Sequence, residues 1–185
     1  MLPEIVRDAE SKMKGAVEHA REEFGAIRTG RAHPAMFNQL MVDYYGAPTP
    51  LQQLATFQVP EARTVLISPF DRSSMANIEK AIRDSDLGVN QANDGAVIRV
   101  MMPQLSEERR RDYVKLAKSK AEEGKVAVRN IRRSANDSVH KLVKGKEVGE
   151  DDGRGAEKQL DGITKKYTDT IDELLKAKEA ELLEV

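Results

Sequence analysis

LSEERRRDYVKLAKSKAEEGKVAVRNIRRSANDSVHKLVK, residues 105–144, is the stretch whose reading decides the fold. It holds no proline and a single glycine, Gly124, so nothing in it forces a helix to break. Its start is marked. Pro103 closes what precedes, Ser106 is a natural N-cap, and Glu107 and Glu108 sit where the positive end of a helix dipole favours anions. The reading is one helix of about 60 Å at ~1.5 Å per residue, longer than a compact domain of this mass requires.

The stretch carries two stripes. Tyr113, Ala117, Ala121, Gly124, Val128, Ile131, Ala135, Val139 and Leu142 recur at steps of three and four, the spacing of a buried seam, and most are small enough to let partner helices come close. On roughly the opposite side Arg111, Lys115, Lys118, Glu122, Lys125, Arg129, Arg133, Asn136, His140 and Lys144 form a basic ridge with one acidic interruption. Arg132 falls between the stripes, where its stem can pack and its guanidinium reach outward. A solvated face kept for solubility also explains charged residues on a long helix. Such a face mixes signs, whereas from Lys125 to Lys146 the only acid is Asp137. A ridge of one sign suits a polyanion.

The chain's 185 residues suffice for one or two domains with a real core, and its net charge of -1 means that nucleic-acid affinity must come from a local patch. There is no cysteine, which removes disulfides, thiolate metal sites and cysteine nucleophiles. No apolar run reaches the ~20 residues of a membrane span, and MLPEIVRDAE does not read as a signal peptide, so the expected location is the cytoplasm, with no membrane contact. With no tryptophan, broad base-stacking platforms are not expected.

Residues 2–28 repeat the amphipathic signal through Ile5, Ala9, Met13, Ala16, Ala20, Phe24 and Ile27, ending where Gly30 and Pro34 disfavour a helix. A third helix is expected over 150–183, headed by Glu150, Asp151 and Asp152. Its stripe is Ala156, Leu160, Ile163, Tyr167, Ile171, Leu174 and Leu182, which Lys178 interrupts, and glycines at 153, 155 and 162 weaken its first turns. Between the first two helices the texture changes. Strands are expected over 37–44, 51–59, 64–68 and 96–102, a turn over 45–50, a helix from Ser73 or Ser74 to Asp84, and a turn at Asn93-Asp94-Gly95. This segment reads as a small α/β or α+β domain.

Three helices with one apolar stripe each must bury those stripes together. The expected organisation is therefore an α+β chain, with a three-helix bundle from residues 1–30 and 105–185 and an inserted domain over 31–104. Two connectors, near 29–34 and 102–106, would lie side by side and act as a hinge through Gly30, Arg31, Pro34, Pro103, Gln104 and Leu105. Chemistry is sparse. His19, His33 and His140 are scattered, no metal-ligand spacing occurs, and the glycines near Asp152 lack the lysine and hydroxyl of a phosphate-binding loop. Asp151 and Asp152 are ordinary acids at a helix start, so no catalytic residue, metal or cofactor is expected. A helical adaptor for proteins and a hydrolase with an unrecognised acid or base remain the rival readings.

Four ordered motifs then stand out. They are Ile27-Arg28-Thr29-Gly30-Arg31-Ala32 followed by Pro34; Tyr44-Tyr45-Gly46 followed by Pro48-Thr49-Pro50-Leu51; Leu105 with Glu107-Glu108-Arg109-Arg110; and Val128-Arg129-Asn130 with Arg132-Arg133. Together they closely resemble the bacterial ribosome recycling factor family over essentially the whole chain. His33 stands where that family usually has a small polar residue. The resemblance implies an elongated, L-shaped molecule of tRNA-like dimensions, a three-helix bundle carrying a β/α/β domain on a flexible double linker. It also implies a monomeric translation factor that binds the post-termination ribosome. With elongation factor G and GTP hydrolysed by that partner, such a factor splits the subunits for a new round of initiation. Arg129, Arg132 and Arg133 match the family's arginine cluster for large-subunit ribosomal RNA at the subunit interface. Asn130 lies in the same motif, Lys118 and Lys125 extend the ridge, and Arg28 and Arg31 are expected to add cations from the first helix and linker.

Overall fold

The computed structural model describes residues 1–184. The chain divides into two compact units, one of Met1–Phe24 with Leu116–Lys178, the other of Gly25–Lys115 with the described residues from Glu179 onward.

The first unit is a bundle of three helices, α1 (Leu2–Gly25), α3 (Glu107–Lys144) and α4 (Glu150–Leu183), of which α3 and α4 also extend into the second unit. The α3 helix has 38 residues and starts as its sequence demands, with Ser106 Oγ accepting from Arg109 N at 3.1 Å. Its buried positions are Ala117, Ala121, Val128, Ala135 and Val139. On α1 the buried set is Ala9, Met13, Val17, Ala20 and Phe24, so Val17 takes the place expected of Ala16. Small residues set the spacing. A Cβ on Gly124 would stand 3.1 Å from Ile171 and 3.3 Å from Ala20, so all three helices close together at that level. Glycines do not delay α4, which runs from Glu150, and Gly153 sits so near α3 that a Cβ there would meet Val143 at 2.5 Å. Lys178, expected to break the stripe, is instead buried. Tyr167 reaches across to donate to Glu10 at 2.9 Å.

The second unit holds the strands. Helix α1 stops at Gly25, three residues short of expectation, and a 3-10 turn, Pro34–Phe37, takes the start of the expected first strand. His33 caps that turn by accepting from Ala35 N through Nδ1 at 3.0 Å, the service a small polar side chain would provide. Strand β1 (Met41–Tyr44) lies within the strand expected over 37–44, and β2 (Ala47–Pro50) pairs with it in a hairpin where a turn was expected. Its two-residue loop has positive φ at both Tyr45 (52°) and Gly46 (83°), which suits the right-handed twist of paired strands.

The larger sheet is antiparallel, in the order β3 (Ala55–Glu61), β4 (Thr64–Pro69), β6 (Ile98–Met101), β5 (Asn90–Asn93). The β5 strand, NQAN, was not foreseen, because a polar edge strand has no apolar alternation to announce it. Along β6, Ile98 and Val100 point inward and Arg99 and Met101 outward. The inward face packs with Phe37, Leu51 and Ile78 of α2 (Met75–Arg83) into one core in which all three are fully buried. Each fully buried Leu, Ile or Phe side chain contributes ~1.5–3 kcal/mol.

Candidate nucleic-acid interface

Arg129 and Arg133 lie one turn apart on the same face of α3, and Arg132 sits between that face and the apolar seam. Arg129 donates to Glu122 Oε1 at 3.2 Å with its side chain 45% exposed, and Arg132 to Asp161 Oδ1 at 3.5 Å with its side chain 40% exposed. Exposed pairs of this kind are worth ~0–1 kcal/mol, so a phosphate can replace the carboxylate. Among the described residues Arg133 and Lys118 are exposed and have no carboxylate within ion-pairing distance. Arg132 Nε and, one turn on, Asn136 Oδ1 are buried without a hydrogen-bond partner, which leaves unmet polar capacity within the ridge.

Lys125 is held differently. Its ammonium is 3.0 Å from Asp172 and 3.6 Å from Glu122 and only 20% exposed. The hydrogen bond to Asp172 is the main reason it titrates above the usual lysine value, with burial opposing. It fastens α3 to α4 more than it faces solvent. Asn130 is exposed and lines a groove of about 330 Å³ between α1 and α3, beside Lys12 and Ser134.

Arg28 and Arg31, expected to join this surface, lie in the second unit. Arg28 is 5% exposed. Its guanidinium donates to the carbonyls of Leu87 at 2.8 Å, Gly88 at 3.2 Å, and Pro103. Burial pushes its pKa below the ordinary guanidinium value, and neighbouring Arg109 acts in the same direction. Enclosed in this way, Arg28 serves as an internal clamp where an exposed cation was expected. Arg31 is 78% exposed and pairs with Glu184 at 3.6 Å.

The connector residues come together in this unit. Gly30, Arg31, Gln104 and Leu105 share the wall of a cavity of about 170 Å³ with Arg63 and Arg110. Each connector is anchored at the same tight turn, Ala32 N donating to Ala62 O at 2.7 Å and Met102 N to Arg63 O at 2.9 Å. Pro103 is tied through its carbonyl to Arg28, while Pro34 opens the 3-10 turn. The second compact unit itself begins at Gly25.

A polar cluster at the hairpin tip escaped the sequence reading. Asp71 accepts from the hydroxyls of Tyr44 and Tyr45, both at 3.1 Å, and from Ser73 Oγ at 2.7 Å and N at 2.9 Å. The Ser73 bonds, first of all, hold the Asp71 carboxyl below the usual range, and the bond to Asp71 raises Tyr44. The cluster ties the end of β1 and the hairpin loop to the turn that leads into α2, and Asn77 adds a bond to Asp43 O at 2.9 Å. Among the described residues no group of three or more His, Asp or Glu could hold a metal ion, and no helix is long and apolar enough to cross a membrane.

Comparison with known proteins agrees in sequence and in fold. The family model for ribosome recycling factor matches residues 20–183. Ribosome-recycling factors of Cutibacterium acnes and Streptomyces coelicolor are 66% identical over 184 residues and 61% over 185, covering 100% of both chains in each case. The solution structure of a ribosome recycling factor has a TM-score of 0.76 at 41% identity, covering 100% of this chain and 98% of that one. A Thermus thermophilus ribosome recycling factor, placed with Escherichia coli elongation factor G on the post-termination complex, has a TM-score of 0.70 at 42% identity, with full coverage of both chains. A family match over most of the chain, joined by relatives above 60% identical along its whole length, means that this chain belongs to the ribosome recycling factor family.

Proposed function

We propose that the chain binds the post-termination ribosome as a monomer in the cytoplasm, and that with elongation factor G it splits the subunits so that they can initiate again. GTP is hydrolysed by that partner, and this chain's part is mechanical. The α3 ridge grips ribosomal RNA of the large subunit at the subunit interface through Arg129, Arg132 and Arg133, with Lys118 and Asn130 beside them. Residues 31–104 pivot about the connectors, with Arg31 at the pivot.

The observation that carries this reading is the arginine triplet on α3, with Arg129 and Arg133 exposed and Arg132 partly so, two members in weak pairs and one with none among the described residues. Guanidinium groups make bidentate contacts to phosphate, and a helix presents them in fixed register. Co-sedimentation of the full chain with ribosomes over a salt series tests the grip. Affinity should fall by roughly 0.7–0.9 log units per log of salt for each phosphate contact. The double variant Arg129→Ala/Arg132→Ala should bind at least about ten-fold more weakly near 0.15 M salt and flatten the slope by about two contacts. Binding equal to the parent, or a flat salt dependence, rules the grip out. A helical adaptor predicts no pelleting at all, and light scattering with elongation factor G and GTP reads the splitting itself.

A further inference from the structure

The acidic interruption in the basic ridge is left without a role by RNA binding alone. Glu122 lies seven residues before Arg129 and three before Lys125, and its carboxylate contacts both, at 3.2 Å and 3.6 Å. Its side chain is 59% exposed, so it stands on the surface that a polyanion would approach. A carboxylate offers a guanidinium the same kind of acceptor oxygens as a phosphate does. From this geometry we infer that Glu122 is an internal stand-in for RNA phosphate, which occupies the ridge in the free protein and limits how tightly and how long RNA is held.

Two effects act together. Arg129 must exchange Glu122 for a phosphate, and the displaced carboxylate then faces the RNA backbone at close range, where like charges repel. Asp161 on Arg132 and Asp172 on Lys125 repeat the arrangement from α4, so three cations of the ridge carry an internal counter-charge. Non-specific RNA, which offers few aligned phosphates, is penalised relative to a surface that engages several arginines at once. The inference rests on the RNA-binding reading of the ridge and adds to it a built-in limit on residence.

The control lies one residue away. Glu123 carries the same charge on the same helix but pairs with Lys120 at 3.6 Å, away from the arginines. Full-length parent, Glu122→Gln and Glu123→Gln are compared for equilibrium binding to isolated large ribosomal subunits over a salt series, and for dissociation after adding excess unlabelled parent. Helicity by circular dichroism verifies that each variant is folded. Glu122→Gln is expected to bind roughly five-fold tighter and to leave correspondingly more slowly, with the gain shrinking as salt rises, while Glu123→Gln matches the parent. Equal behaviour of the two variants, or weaker binding by Glu122→Gln, overturns the inference while leaving RNA binding in place. Parent-like binding by Arg129→Ala/Arg132→Ala in the same series would instead remove the RNA reading and this inference with it.

Discussion

Arg28 shows at the scale of one residue how side-chain type and side-chain role part company. An arginine beside Thr29-Gly30-Arg31 looks in sequence like one more cation for RNA, yet it is enclosed and its two terminal nitrogens donate to three backbone carbonyls. Removing it takes the shared donor from three part-buried carbonyls, and each such hydrogen bond is worth ~0.5–1.5 kcal/mol net. Arg28→Ala is therefore expected to lower unfolding stability by about 3 kcal/mol in urea titrations, and Arg28→Lys to recover only part, because one ammonium cannot span all three carbonyls. Measured where the variant is still folded, the salt slope of ribosome binding should equal the parent's. A slope reduced by about one contact would return Arg28 to the RNA surface. The reverse lesson comes from His33, which looked out of place in its motif and yet caps a turn with its own Nδ1.

At the scale of elements, the helices were legible because each carries an apolar stripe at helical spacing, and the buried residues of α3 all come from that stripe. The short strands were less so. The β2 segment, APTP, holds two prolines and β5 is wholly polar but for Ala92, so neither displays the alternation that betrays a strand. Glycines in α4 separate propensity from packing. Gly155 has open space where a Cβ would be, so Gly155→Ala should stabilise the chain by about 0.5–1 kcal/mol through helix propensity alone. Gly153→Ala gains the same propensity but drives its Cβ to 2.5 Å from Val143, whose branched side chain has few rotamers. Overpacking costs typically 1–3 kcal/mol, so thermal melts should show Gly153→Ala destabilised by about 1 kcal/mol net. Melting points that move together for the two variants would mean that α3 and α4 yield readily at that level.

At the scale of the whole molecule the question is movement. The chain has no cysteine, so a pair placed at Arg31 and Gln104, which line one cavity in the second unit, would form the only disulfide possible. Oxidised Arg31→Cys/Gln104→Cys should bind ribosomes within about two-fold of an Arg31→Ser/Gln104→Ser control, since one exposed cation is lost in both. It should fail to split them with elongation factor G and GTP, and reduction should restore splitting. Full splitting by the oxidised form would mean that the connectors, both fastened at Ala62 and Arg63, travel as one body and that the pivot lies elsewhere.

The sequence by itself determined the three long helices, their buried seams, the basic ridge and the four motifs that resemble one family, because these depend on periodicity and on residue types near one another along the chain. Only the tertiary structure decided that Arg28 is a clamp, that Asp161 and Asp172 of α4 stand against cations of α3, and that Asp71 gathers two tyrosines from a distant hairpin. These are pairings between segments far apart in sequence, set by how folded elements meet, and no spacing along a single strand of text encodes them.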